Sequence, residues 1–181
     1  MSDPELAAHV SHVLRWVWDP IGLGAHGRPD EYNVYIPDLV ALTRNTGVYE
    51  VEDTFIDHLA RIEIETMGLS LPPANRTRAA RALIGLRDAY MWGPGKLVKQ
   101  LSSLDGLHCA WVFEIRGGLY TYREGVLRHK HNDKGRWSDW DSPGRGEAGL
   151  YDSVEDVERE MHAVMGWLHE GDLAASAIDP D

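Results

Sequence analysis

Cysteine is almost missing from this chain of 181 residues, with Cys109 standing alone. That excludes an internal disulfide and any zinc or iron–sulfur site built on several thiolates. No apolar run approaches the length of about 18 residues that would read as a membrane-spanning helix. Basic residues are also short: 18 against 29 acids, a formal charge of −11, with no lysine anywhere in residues 1–90. A general nucleic-acid binder needs a basic face for phosphate, so that class is set aside. The opening MSDPELAAHVSH has neither a basic n-region nor an apolar h-region. No secretory signal is therefore read there, and the expected address is the cytoplasm.

What is present is aromatic and patterned. Phenylalanine is scarce at two, but seven Trp and seven Tyr supply much apolar area per residue. In residues 1–90, Asp3-Pro4 opens a helix whose stripe is Leu6, Val10, Val13, Leu14 and Val17. Asp19-Pro20 ends it, because the residue before proline avoids helical geometry. A glycine-rich loop follows, then a short helix with Pro37 near its start. A third stripe runs from Val51 to Met67, with Gly68 as its C-cap, and a fourth helix covers Ala79 to Tyr90. Residues 91–107 read as a connector, with Lys96 to Leu104 as a short helix. Residues 108–170 read as a sheet closed by a helix. The runs His108–Arg116 and Leu119–Arg123 are β-prone and joined by Gly117-Gly118, a hairpin signal. Further strands are expected at Val126–Arg128 and around Trp137 and Trp140. Ser153 to Asp156 forms a capping pattern for the last helix, and the tail 171–181 is expected to fray. The fold class expected is α+β: a helical N-terminal half packed with a small antiparallel sheet and a C-terminal helix, as one domain or as separate parts.

The motifs carry little chemistry. Gly22-x-Gly24-x-x-Gly27 has the spacing of a dinucleotide loop, but a helix precedes it where a strand is required. Cys109 beside His108 is no nucleophile pair, since strand neighbours point to opposite faces. No G-x-S-x-G occurs, no catalytic residue stands out, and no cofactor is implied. The carboxylate pairs, Glu63 and Glu65 among them, read as solvated helix faces. Glu5, His9 and His12 recur one helical turn apart and are the candidate metal ligands, set against a plainly solvated face. Residues 116–136 carry a local excess of four positive charges and 147–181 an excess of nine negative. Arg128, Lys130 and Arg136 are thus candidate anion contacts, unless the acidic stretch folds back on them.

The most unusual cluster is Trp16-x-Trp18-Asp19-Pro20-Ile21-Gly22 with Asp30-Glu31-Tyr32-x-x-Tyr35. Tyr32 and Tyr35 are spaced to pack on Trp18, Asp19 to cap a turn, and Asp30 to cap the second helix. Trp18, Asp19, Asp30, Glu31, Tyr32 and Tyr35 are accordingly the candidate ligand or partner residues, with a structural lock as the competing account. Together with Ile62-Glu63-x-Glu65-x-Met67-Gly68-Leu69, this run resembles small bacterial proteins of unknown function with a WDPIG…DEY…Y signature, over residues 10–90. The resemblance implies a helical domain and no defined activity. A cytosolic, non-enzymatic role on a basic protein partner, immunity- or antitoxin-like, is the expectation from charge and size. The alternative is a small enzyme or a ligand- or metal-binding domain using the Trp/Tyr cluster or the histidine pair.

Overall fold

The computed structural model describes residues 3–23, 26–28, 30–47, 49–115, 117–142 and 148–168. Part of the glycine-rich loop and the whole expected tail 171–181 lie outside the described residues. The architecture is α+β in three layers: helices α1–α4, one antiparallel sheet, and helix α5 on the far face.

Helix α1 covers Asp3–His12 and runs on as wider π-helical turns over Val13–Trp18. After Trp18 the chain breaks at Asp19, which takes a left-handed conformation at φ 33°. Asp tolerates that region better than most residues, since its short side chain can bond locally. Helix α2 is Ile36–Asn45 with Pro37 in its first turn. Helix α3, Val51–Arg61, also ends in π-helical turns, over Ile62–Thr66, and Gly68 follows at φ +68°. Helix α4, Ala74–Trp92, starts earlier than its apolar pattern suggests. Its middle, from Ala79 to Leu86, is buried almost all round because it lies between the other helices and the sheet. Gly85 marks how closely: a Cβ there would stand 3.2–3.4 Å from Gln100 and Trp111.

The sheet is a meander in the order β1-β2-β3-β4, with β1 Lys96–Ser102, β2 His108–Ile115, β3 Leu119–Asn132 and β4 Gly135–Asp141. Strand β1 corrects the helix expected over Lys96 to Leu104. The helix propensity of Lys, Leu and Gln is outweighed by backbone pairing with β2 and by Gln100. Its amide donates to the Ala82 carbonyl (3.1 Å) and accepts from the Trp111 indole (2.9 Å). The supposed connector is therefore largely part of the sheet. Gly117 and Gly118, at φ 88° and 73°, turn β2 into β3 as the hairpin signal requires. The two strands expected around Leu119 and Val126 are one continuous strand.

Strand β2 is covered on both faces. Cys109, Trp111 and Phe113 enter the cluster built from α1–α4, while Ala110 and Val112 enter a second cluster with Val157, Met161, Met165 and Leu168. The first cluster draws on both halves of the chain, from Leu6 to Leu127. Helix α5, Val154–Val164, is capped as expected: Ser153 Oγ accepts from the Asp156 backbone N–H at 3.2 Å. No helix among the described residues is long and apolar enough to cross a membrane.

Candidate functional site

The Trp-Asp-Pro cluster assembles around a fully buried Trp18. Its ring lies 5.7 Å from Tyr32 and 6.2 Å from Tyr35, the latter edge-on. Asp19 Oδ1 accepts from the Tyr32 hydroxyl at 2.7 Å and from the Leu23 backbone N–H at 2.9 Å. Burial, with the Asp19 bond second, pushes the Tyr32 hydroxyl well above the usual phenol range. Arg15 donates to the carbonyls of Gly27 and Arg28 and so ties the far end of the loop to the same helix. The loop is held from both ends, as a structural lock requires. Asp30 differs from expectation: its carboxylate pairs with Arg28, and helix α2 has no side-chain cap. Glu31 is exposed to solvent beside it.

Beneath the lock lies a residue that the sequence did not single out. Glu63, expected on a solvated face, is 2% exposed. Its Oε1 accepts from the Trp18 indole at 2.7 Å, and its Oε2 accepts from Arg76 at 2.5 Å. The π-helical ends of α1 and α3 are thus joined through one buried carboxylate. A buried charge of this kind is tolerated only when paired and hydrogen-bonded, and both conditions hold. Glu65, two residues on, is exposed, as the reading of a solvated face has it.

A second polar cluster joins α3 to the β3–β4 hairpin. Glu52 Oε1 accepts from Arg81 Nε at 2.9 Å, and Oε2 accepts from the buried Ser138 hydroxyl at 3.1 Å. His129 Nδ1 is 2.9 Å from that hydroxyl and 3.2 Å from Glu52 Oε2. Serine, histidine and carboxylate meet here, but serine and acid share the same ring nitrogen. A nucleophile relay needs the serine on one nitrogen and the acid on the other, so this is a joint and not a hydrolytic centre. His129 and His131 stand on strand β3. No single-residue pattern foretold the cluster, because its members lie up to 86 positions apart in sequence.

The metal candidates are not brought together. His9 lies 6% exposed with Nε2 at 3.3 Å from the Leu97 carbonyl, which occupies that nitrogen's proton. Glu5 faces Lys96 at 3.8 Å. Among the described residues no trio of His, Cys, Asp or Glu is placed to hold a metal ion. The anion candidates are also largely occupied. Lys130 is bound by Asp141 (2.9 Å) and Asp139 (3.0 Å), and Arg136 by Asp53 (3.0 Å). Bonding to the two aspartates raises the Lys130 pKa. These acids come from β4 and α3. Arg128 is exposed on β3, directly opposite Asp139. Cys109 is fully buried, and burial pushes its thiol far above the usual range, so it is no nucleophile.

Comparison of the chain with family models, with curated proteins and with solved structures returned no match.

Proposed function

We propose that the chain is a non-enzymatic, cytosolic protein-binding module, immunity- or antitoxin-like, that takes a basic protein partner through its acidic surface. The supporting observation is how the fold uses its cations. Arg76, Arg81, Arg87, Lys99, Lys130 and Arg136 are each held against a carboxylate within the fold. The excess of acids over bases is left facing outward, at exposed positions such as Glu31, Asp38, Asp57, Glu65, Glu155 and Glu160. Such a surface speeds and orients encounter with a basic partner and repels acidic ones.

The clusters with catalytic residue types support the same reading, since each is an internal joint. Trp18 and Tyr32 are both buried in the core. The test is capture on the immobilised chain from total bacterial protein at low ionic strength. Retention of a basic protein that elutes as salt is raised supports the proposal. Retention of nothing, or of partners indifferent to salt, overturns it.

A further inference from the structure

Helix α1 packs on α2 and α4 and meets β1, an outer strand of the sheet, through two polar side chains: His9 at the Leu97 carbonyl and Glu5 facing Lys96. His9 is buried and donates from Nε2 to the Leu97 carbonyl. One turn later His12 places its Nε2 in a buried position with no partner, its ring 6.2 Å from that of Trp16. We propose that His9 and His12 make the packing of α1 acid-labile, so that mild acid loosens α1 ahead of the sheet.

The geometry offers a proton no compensation. The charges acting on His9 are Glu5 on its own helix and Lys96 on β1, and these two face each other. The charge acting on His12 is His9 itself. Among the described residues no charged group of α2 or α4, the other helices packed on α1, acts on either ring. A proton on one histidine creates a buried cation, and a proton on both sets two cations one turn apart. Burial lowers His9, and burial followed by His9 lowers His12 to about 4. The unfolded or detached helix takes those protons near the ordinary imidazole value, so acid favours detachment. Strand β2 has one histidine, His108, at its first position beside Trp167; its covered faces beyond that are Cys109, Trp111 and Phe113 on one side and Ala110 and Val112 on the other.

The experiment is amide hydrogen exchange on the full chain at pH 7 and pH 4.5, expressed as protection factors to remove the intrinsic pH dependence. Protection across Leu6 to Val17 should fall by about tenfold to hundredfold at pH 4.5, ahead of any fall across β2. The double variant His9→Gln, His12→Phe, which keeps a ring against Trp16 and a donor for Leu97, should lose that selective fall. Equal protection of α1 at both pH values, a uniform fall across α1 and β2, or an undiminished fall in the double variant each overturns the proposal. If the double variant does not fold, His12→Phe alone carries the test, with a fall at least several-fold smaller than in the wild type expected.

Discussion

The indole N–H of Trp18 reaches across 45 positions of sequence to donate to Glu63, at 2.7 Å and out of contact with solvent. Through it, the end of α1 is bonded to the end of α3, and Arg76 completes the contact from α4.

Removing the carboxylate should therefore cost more than a typical core polar change. Glu63→Ala leaves the Arg76 guanidinium and the Trp18 N–H without their acceptor. The expected loss is about 3–5 kcal/mol, the range for breaking a buried ion pair. Glu63→Gln keeps an acceptor and should cost less. Urea unfolding of the two variants gives the comparison, and equal midpoints would contradict it.

Asp19 makes two bonds from a left-handed backbone, which separates its variants from those of its partner. Tyr32→Phe removes one bond, at about 1 kcal/mol. Asp19→Ala removes both and with them the local side-chain bonding that makes φ 33° tolerable, so it should cost at least about twice as much. Thermal midpoints of the two variants decide the order.

The buried histidines give stability a definite sign against pH. Burial holds His12 at about 4, below the value of 6.5 of the free side chain, and lowers His9 and His58 as well. As pH falls through the higher value, the unfolded chain binds protons that the folded chain refuses. This contribution is complete above about pH 6.5, declines below it, and levels off near 4 where both states are charged. For His12 the loss is on the order of 3 kcal/mol. Denaturant midpoints between pH 7 and 4 should fall, and His12→Phe should flatten the decline.

Cys109 is protonated and enclosed, so a thiol reagent such as an aromatic disulfide should label the native chain only through unfolding. Labelling at the rate of a free thiol in native buffer would show that β2 opens locally.

Gly125 stands opposite Cys109 on β3, and a Cβ there would meet the Trp111 ring at 2.7 Å. Trp111 in turn is wedged edge-on against Trp140 at 5.4 Å. Gly125→Ala is expected to cost about 1–3 kcal/mol through overpacking, read from the unfolding midpoint.

Local signals were readable where the physics is local. Proline positions, the Ser153 cap, the paired glycines at 117–118 and the apolar stripes placed most helices and the first hairpin. The packing of Tyr32 and Tyr35 on Trp18 followed from spacing alone. Strand β1 was misread because Lys96 to Ser102 contain no β-branched run, only Val98, and its conformation is decided by β2, whose paired residues lie seven to eighteen positions away. Glu63 and Glu52 were passed over for the same reason. Their partners, Arg76 and Trp18 for one, Arg81, Ser138 and His129 for the other, become visible only after α3, α4 and the hairpin are assembled. The histidine spacing in α1 was seen, but what it met was a strand that the sequence had disguised as helix.

The two hydrophobic clusters on opposite sides of the sheet also divide the molecule mechanically. The apolar anchor of helix α5 and the turn after it is Val157, Met161, Met165 and Leu168, helped by the Lys99–Glu158 ion pair and the Trp167–Glu124 bond, whereas the opposite face gathers residues from four helices. Thermal agitation that lifts α5 breaks few contacts and leaves the larger cluster intact. The C-terminal helix should then behave as an independently opening unit, its breathing set by its own smaller foothold and not by global unfolding.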